Sequence, residues 1–310
     1  MKLLKFNFTI IFLSAVILFC IPSFLFAEVE EKIDKVYSLD REGKVYLENV
    51  SGDIVVKTWG KNEVKILARK TALKESDLDK VTVDINETGD NIRIITKYKK
   101  TWGLSQSVNA SVYYDLFIPD RAQMRVKSVS GSVEAMKIGG PVDIETVSGK
   151  IDVVEAGRGV RCKSISGDIF VEEITGDSTL KSTSGKIKAE DLKGSVEANT
   201  VSGTIEIKKF SLAEEIDMES ISGDIKLQGE LSPGGIYEFN TISGRIRLDL
   251  PSKSDFELQT KTMSGDVRCE FDLKISGKIT RNRMQGVAGK GGSSLKISSL
   301  SGDIIINKGR

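Results

Sequence analysis

The sequence predicts an all-β protein, a parallel β-helix or β-solenoid of about 18–21-residue coils with an irregular N-terminal β cap. Two observations predict this fold. Ser-Gly dipeptides recur at nearly constant spacing, and apolar residues alternate with polar ones on both sides of each dipeptide. Alternation with a period of two indicates half-buried strands, and the glycine-containing dipeptides indicate tight corners between them.

The Ser-Gly repeat extends through most of the chain. Its serines are Ser51, Ser130, Ser148, Ser166, Ser184, Ser202, Ser222, Ser243, Ser264 and Ser301. Residues six and four before most of these serines are apolar, the residue two before is usually a hydroxyl, and residues three and five after are again apolar. One repeat is therefore one coil with two strands, and stacked coils share a core that a single coil cannot form.

Several architectures fit this pattern. The inward-facing positions shift by one residue across each Ser-Gly corner, and the glycine accounts for this because it supplies unusual backbone angles. A second corner in each coil falls at Gly140, Gly157, Gly176 and Gly194. Eighteen residues also fit a three-sided left-handed hexapeptide helix. No six-residue period is visible, so a flattened coil is preferred, and the sequence does not determine whether it is left- or right-handed. A stack of β-hairpins is the alternative.

The chain divides into three parts, the last of which contains an insertion. Residues 1–27 are a signal peptide or N-terminal anchor, 28–118 an N-terminal β region that caps the stack, and 119–310 the repeat region with an insertion at 271–294. Six strands are predicted in the cap, with a helical turn at 74–79. The predicted strands are Lys44–Leu47, Asp53–Thr58, Glu63–Ala68, Lys80–Asn86, Asn91–Thr96 and Ser111–Phe117.

The N-terminus predicts export to the periplasm, the cell envelope or the cell surface. Lys2 and Lys5 precede an apolar run, and Ala27 precedes an acidic stretch, which is the layout of a secretory signal. Cleavage is favoured, although the apolar run is long enough to serve as an anchor.

Composition excludes several functions. With 45 basic and 44 acidic residues, the chain lacks the basic footprint of a nucleic-acid-binding protein. It contains no histidine, which excludes Ser-His-Asp hydrolysis and histidine-ligated zinc. Cys162 and Cys269 are expected to be free, buried thiols, because five coils separate their corners and place them beyond disulfide reach.

The repeated polar residues predict structure rather than chemistry. Catalysis needs one special serine with a nearby base, not a column of equivalent ones, so corner hydroxyls are expected to cap backbone groups. The residue after each Ser-Gly alternates in charge sign, as in Lys150, Asp168 and Lys186, which predicts a ladder of ion pairs and not a calcium site. No catalytic residue, metal site or cofactor is predicted.

Two groups of residues are candidates for ligand contact. Lys97, Tyr98, Lys100 and Trp102 combine basic and aromatic side chains in a loop, which suits a glycan or a lipid headgroup. Packing against the cap is the alternative for this group. A basic stripe of Lys226, Arg247 and Arg268 on successive coils suits an anionic glycan, unless it is a solvated, paired face.

The last coil predicts a cap or a contact surface. It ends soon after Ser301, and an open coil exposes unpaired strand edges that invite strand addition. The insertion at 271–294 is therefore expected to fold over that end. An uncovered end predicts self-association end to end.

Several motifs of the chain resemble those of a known protein family. Four features support this resemblance: Glu48–Ile54 followed by Thr58-Trp59-Gly60, Ile118-Pro119-Asp120 leading into Val129-Ser130-Gly131, the run of Ser-Gly corners, and the closing Leu300–Ile304. Over residues 40–310 the chain resembles the bacterial putative-adhesin family. That resemblance implies a β-solenoid-like fold, an envelope or surface location and no catalytic residues.

The predicted function is a non-catalytic, adhesin-like binding or scaffold protein of the cell envelope or surface. Its expected partners are an envelope glycan or another envelope protein, and not nucleic acid. The alternatives are a polysaccharide-acting β-helix enzyme, which needs carboxylates spaced across a groove, and a partner of an envelope-stress sensing system.

Overall fold

The protein consists of two large, mainly parallel β-sheets that enclose one hydrophobic core. A computed structural model describes residues 28–99, 108–276 and 280–309. Sheet A has 13 strands, sheet B has 14, and one short helix, α1 (Glu75–Leu78), occurs in the described residues. The predicted all-β solenoid is confirmed. Most coils contribute one strand to each sheet, so the coil is flattened and two-sided.

The strands follow the predicted pattern closely. The N-terminal strands are β1 (Val29–Ser38), β2 (Lys44–Ser51), β3 (Ile54–Trp59), β4 (Glu63–Ala72), β5 (Val81–Thr88), β6 (Asn91–Tyr98) and β7 (Ala110–Pro119). The central strands are β8 (Gln123–Ser130), β9 (Val133–Ile138), β10 (Val142–Thr146), β11 (Ile151–Ala156), β12 (Val160–Ser164), β13 (Ile169–Thr175), β14 (Ser178–Ser182), β15 (Ile187–Lys193), β16 (Val196–Ser202), β17 (Ile205–Ser211), β18 (Glu215–Ser222), β19 (Ile225–Gln228), β20 (Ile236–Ser243) and β21 (Ile246–Pro251). The last strands are β22 (Phe256–Ser264), β23 (Val267–Cys269), β24 (Leu273–Ile275), β25 (Arg283–Ala288), β26 (Ser293–Ser301) and β27 (Ile304–Gly309). All six strands predicted before β8 are present, and β1 is an additional one.

The central coils stack in register. Each strand from β8 to β21 pairs in parallel with the equivalent strand of the next coil, so equivalent residues form columns along the stack. This parallel pairing excludes the stack of hairpins. We number the Ser-Gly corners in stack order as rungs 1 to 10. They are Ser51, Ser130, Ser148, Ser166, Ser184, Ser202, Ser222, Ser243, Ser301 and Ser264.

At both ends of the stack the order of the coils departs from the order of the sequence. The coil β2–β3 lies between β6–β7 and β8–β9, although residues 63–119 follow it in the chain. The final coil, β26–β27, lies between β20–β21 and β22–β23. The last coil is therefore an interior one, which the sequence does not predict.

Antiparallel strands close the ends. β1 and β4 extend sheet A beyond β7, and β5 closes sheet B on β6. At the other end β25 pairs with β22, and Phe271 packs edge-on against Phe256 with 5.0 Å between ring centroids. The insertion lies at this end as predicted, but it covers the coil β22–β23 and not the last one.

The corner glycines are required by close contact between rungs. A Cβ at Gly185 would lie 2.0 Å from the carbonyl oxygen of Gly167, and one at Gly223 would lie 1.9 Å from that of Gly203. Most corner glycines have φ angles outside the left-handed region, and Gly52, at φ +105°, is an exception. The expectation that the glycine serves for its backbone angles is thus wrong at most rungs, where lack of a side chain is what matters.

The second corner depends on a left-handed residue. Lys137, Glu155, Glu173, Asp191 and Lys209 occupy the same position in five successive coils with φ between 51° and 60°. Each is left out of the pairing of sheet A together with its counterpart on the neighbouring strand, so the ladder is interrupted at this position in each of these coils. The left-handed conformation changes the phase of alternation, so the following apolar residue, such as Ile174, points into the core.

The two cysteines are free, as predicted. Cys162 is buried in β12, where burial raises the pKa of its thiol, and Cys269 in β23 is only partly buried. They belong to rungs 4 and 10, so six intervals of about 4.8 Å separate them, one more than predicted. The extra interval is the intercalated final coil.

Candidate functional site

A long groove runs down the outer face of sheet B. It has a volume of about 1170 Å³ and follows all ten rungs. Nine intervals of about 4.8 Å give it a length of roughly 43 Å. Its two walls are columns of side chains that point outward, because residues one, three and five before each corner serine lie on the solvent face of the strand.

One wall is almost entirely aliphatic. We call the residues directly before the corner serines the apolar column. In stack order they are Val50, Val129, Val147, Ile165, Thr183, Val201, Ile221, Ile242, Leu300 and Met263. The nine apolar members are between 38% and 68% exposed. Scattered exposed apolar residues are ordinary on protein surfaces, but a column of this length, interrupted at one rung by Thr183, is not.

The other wall is polar, and a second polar column lies beyond it. The inner polar column contains Glu48, Lys127, Glu145, Lys163, Lys181, Asn199, Glu219, Asn240, Ser298 and Lys261. The outer polar column contains Tyr46, Arg125, Asp143, Arg161, Thr179, Glu197, Asp217, Glu238, Lys296 and Gln259. The three columns together form the exposed face of sheet B.

Beneath the groove lies the buried hydroxyl column, two residues before each serine. Thr146 Oγ1 donates to the carbonyl oxygen of Gly149 at 2.9 Å, and the amide of Gly167 donates to Ser164 Oγ at 2.7 Å. At rung 1 Asn49 takes this place, and its Nδ2 donates to the carbonyl of Gly52 at 3.0 Å. The capping role predicted for corner hydroxyls therefore belongs to this column, since most corner serines are exposed.

The hydroxyl column changes character along the stack. Four consecutive members, Thr200, Ser220, Thr241 and Ser299, are buried, and their oxygens have no hydrogen-bond partner among the described residues. The hydroxyls of rungs 2 to 5 all bond to a corner glycine. An unpaired buried hydroxyl destabilises a fold, so this difference separates the two halves of the stack energetically.

The aspartate that follows Ser-Gly has a backbone role. Asp168 Oδ1 accepts the amide of Lys186 at 2.8 Å, and Asp224 Oδ1 accepts that of Arg245 at 2.9 Å. The predicted ion-pair ladder is wrong, because Lys186 Nζ pairs with Glu206 and Lys150 Nζ with Asp152. The intercalated coil also brings Asp303 beside Asp266, whose amide it accepts at 3.0 Å.

A group of acidic residues lies on the outer polar column. Glu197, Asp217 and Glu238 are neighbours on rungs 6 to 8, with Glu219 beside them. Partial burial, together with repulsion from these acids and Glu215, raises the pKa of Asp217 to about 6. Across the described part of the chain, no group of three or more cysteine, aspartate or glutamate side chains has the geometry of a metal site.

The predicted contact residues lie elsewhere. Lys97 Nζ pairs with Asp84 at 2.6 Å, and Tyr98 donates from its hydroxyl to the carbonyl of Ala110 at 3.1 Å. Burial raises the pKa of Tyr98 to about 12. Lys100 and Trp102 lie outside the described residues. The structure therefore places Tyr98 in packing with the cap, far along the stack from most of the groove.

The predicted basic stripe is interrupted. Lys226 and Arg247 are neighbours on the outer face of sheet A, but Ile305 of the final coil lies between Arg247 and Arg268. Arg247 pairs with Asp249 at 3.0 Å. The three cations therefore do not form one continuous stripe.

The groove was accessible to sequence reasoning but was missed. Strand alternation already assigns the apolar column to the solvent face, so an aliphatic residue at that position in nearly every repeat was the signal. The residues directly before the corner serines, and not the serines themselves, give this surface its apolar character.

Comparison with known proteins identifies relatives of the whole repeat region. The model of the toastrack family DUF4097 matches residues 44–307. No curated protein matches the chain. In the part that the structure describes, no helix is long and apolar enough to cross a membrane.

Three solved structures are similar to the chain at low identity. A putative adhesin from Bacteroides fragilis is 14% identical, with a TM-score of 0.37, over 89% of this chain and 97% of its own. A putative adhesin from Parabacteroides distasonis is 12% identical, with a TM-score of 0.39, over 89% and 97%. A putative cell adhesion protein from Clostridium sporogenes is 10% identical, with a TM-score of 0.25, over 90% and 100%.

Proposed function

The chain belongs to the toastrack family DUF4097, and on that premise we propose that it is an exported, non-catalytic binding or scaffold protein of the cell envelope. Its binding surface is the groove on sheet B. The observation that carries this proposal is the apolar column, which leaves nine aliphatic side chains exposed in one line. Large contiguous apolar patches on a protein surface mark sites of interaction.

The shape of the groove suits an extended partner. It is long, straight and open, and it repeats the same chemistry at each rung. Repeat proteins use such faces for extended contacts with polymers or with other proteins. The signal-like N-terminus supports export, and envelope glycans or envelope proteins are then the polymers within reach.

The acidic residues of the outer polar column do not favour the rival function of a polysaccharide-acting enzyme. Glycoside hydrolysis uses two carboxyl groups on opposite sides of the scissile bond. Glu197, Asp217 and Glu238 lie in one column, and the wall across the groove from Glu219 is aliphatic. Partial burial, together with repulsion from these neighbouring acids, accounts for the raised pKa of Asp217 without a catalytic role.

Sedimentation with envelope material tests the proposal. Residues 28–310 are purified and mixed with the envelope fraction of the source organism, and the bound share is measured after centrifugation. We expect binding, and we expect the double substitution Ile165→Lys with Ile242→Lys to weaken it at least tenfold, because both side chains belong to the apolar column.

A matched control separates the groove from general stickiness. Leu212→Lys changes an aliphatic residue that is 77% exposed but lies outside the groove, so it should bind like the native protein. Circular dichroism establishes that all variants remain folded. Equal binding by the native protein and the groove variant, or no binding by either, refutes the proposal.

A further inference from the structure

The charges on the face of sheet B are compensated at some rungs and not at others. Lys127 pairs with Glu145 at 3.0 Å on the neighbouring rung. Arg125 is 3.5 Å from both Asp143 and Glu145. Near the centre, Lys181 pairs with Glu197 at 2.5 Å. These rungs are close to neutral.

Among the described residues, rungs 4 and 7 are where both polar columns carry unpaired charges of one sign. Arg161 and Lys163 on rung 4 have no carboxylate within ion-pair distance, and neither Asp217 nor Glu219 on rung 7 has a cation. Single unpaired charges are present on rungs 1, 8, 9 and 10, where they are Glu48, Glu238, Lys296 and Lys261. Rungs 4 and 7 lie at equal distances from the centre of the ten rungs, which falls between rungs 5 and 6. The face thus has a basic site and an acidic site in symmetric positions.

A two-fold axis through this centre, parallel to the strands, relates the two sites. Such an axis turns the face over, reverses the direction of the stack and keeps each column opposite itself. It places Arg161 and Lys163 opposite Asp217 and Glu219 of another molecule, and it does so twice, as an isologous interface requires.

We propose that the groove of sheet B is occupied by a second copy of this chain, docked face to face with its stack antiparallel. This inference rests on the proposed function, because it names the partner of the same groove. The apolar columns of the two copies then pack on each other, with Ile165 opposite Ile221 and Val201 opposite Thr183.

The size of the face is adequate for such a dimer. Its three columns are roughly 18 Å wide including side chains, and its length is roughly 43 Å. The product is close to the ~800 Å² that each partner buries in an interface of standard size. The hairpin β24–β25 covers the end of sheet B, so the face and not the end is the larger open surface there.

Charge also selects one arrangement. A two-fold axis along the stack would keep the rungs in the same order and place each rung opposite itself. This axis also reverses the order of the columns, so the inner polar column in the middle of the face would meet itself. Lys163 would then meet Lys163 and Glu219 would meet Glu219, and such like-charge contacts oppose association. Only the antiparallel arrangement brings the unpaired cations of rung 4 to the unpaired acids of rung 7, and it also places Lys261 of rung 10 opposite Glu48 of rung 1. Lys296 and Glu238 then lie opposite Arg125 and Asp143, which already pair with each other.

Analytical ultracentrifugation of purified residues 28–310 tests the proposal. We expect a concentration-dependent dimer. Lys163→Glu and Glu219→Lys should each weaken it at least tenfold, since each places two like-charged pairs in the interface. The double variant Lys163→Glu with Glu219→Lys should restore the dimer, because it exchanges the two partners. Lys226→Glu, on the outer face of sheet A, is the control and should dimerise normally.

The possible outcomes separate this inference from the proposed function. A protein that is monomeric throughout, or a dimer that is insensitive to both single variants, overturns the inference. A dimer that the double variant does not restore overturns the antiparallel arrangement. If the protein is monomeric but its binding to envelope material still depends on Ile165 and Ile242, the proposed function holds with another occupant. If the dimer forms as described and envelope binding ignores those residues, the inference holds and the proposed function fails.

Discussion

In the middle of the stack the coils follow one another in sequence order. At each end, in contrast, the first or last Ser-Gly coil of the chain lies one position in from the end of the stack. From rung 3 to rung 7 every coil contacts the coils before and after it in the sequence. Rung 1 and rung 9 instead lie between two coils that follow each other directly in the chain. The repeated residues therefore determine the structure of one coil, while the irregular segments at the two ends determine where the stack of coils ends.

The largest effect should come from removing the interior last coil. Deleting residues 293–310 leaves β22 and β23 without the strands that join them to the stack. We expect the amides of β22 to exchange with solvent at least 100-fold faster, because its parallel ladder is lost. Deleting residues 28–38, which form an edge strand, should leave the stack protected.

Hydrogen exchange read by mass spectrometry measures both deletions. Protection of β22 in the 293–310 deletion would show that it pairs directly with β20. The two ends of the chain would then differ from the middle only in sequence order and not in stability.

A corner glycine should be more sensitive than a glycine of the irregular region. Gly185→Ala brings a Cβ within 2.0 Å of the Gly167 carbonyl oxygen, so rungs 4 and 5 must separate. We expect a loss of about 3 kcal/mol in the free energy of unfolding, as overpacking of a rigid site typically costs. Gly60→Ala meets no atom within 4 Å and should change it by less than ~0.5 kcal/mol.

Urea unfolding followed by circular dichroism compares the two variants. A Gly185→Ala protein as stable as Gly60→Ala would mean that the rungs tolerate a wider spacing. The close approach of corners would then not be the reason for glycine.

The two halves of the hydroxyl column should respond in opposite directions. Thr146→Val removes bonds to the Gly149 carbonyl and to Ser164 Oγ, and should cost about 1 to 2 kcal/mol. Thr241→Val removes a buried hydroxyl without a partner, so it should be neutral or stabilise by up to ~1 kcal/mol. Equal losses in thermal unfolding would contradict the difference between the halves.

The smallest effect concerns the acidic residues. Because the pKa of Asp217 is raised to about 6, the folded protein holds this proton more tightly than the unfolded chain. Its contribution to stability is therefore present at acidic pH and is lost as the pH rises through 6. Asp217→Asn removes the charge, so the stability of this variant relative to the native protein should increase between pH 4.5 and pH 7.5. The two proteins are compared at pH values about one unit apart.

That comparison is made in the Ile165→Lys background, which weakens the proposed dimer and keeps Asp217 away from a second copy. Melting temperatures are recorded across the pH range for both proteins. A constant difference would mean that Glu197, Glu219 and Glu238 do not repel Asp217 in the folded state.

Much of the fold could be predicted from local pattern. Alternation predicted that residues such as Ile205 and Ile207 point inward, and also the hydroxyl two before most corner serines, because both depend only on strand geometry. The positions of whole coils could not be predicted this way. Ser264 and Ser301 have similar neighbours, and nothing local tells which of the two coils lies further out.

The candidate site likewise has one part that local sequence predicts and one part that depends on the order of the coils. Its apolar column is visible residue by residue, since Val129, Val147 and Ile165 precede serines at a constant position. The relation of rung 4 to rung 7 depends on the number and order of all rungs. The error over the basic stripe has this cause, because Ile305 separates Arg247 from Arg268 only once the last coil is in its place.

The interior position of the last coil also has a mechanical consequence. In a solenoid whose final coil is outermost, tension on the C-terminal end peels one ladder open, one bond after another. Here β27 is held by β21 on one side and by β23 on the other, and β26 is held in the same way by β20 and β22. Tension applied beyond residue 309 must extract the coil from between its neighbours and break both ladders of each sheet together. A protein that is loaded at this end would resist pulling more strongly than its modest number of contacts per coil suggests, and would fail abruptly instead of unravelling.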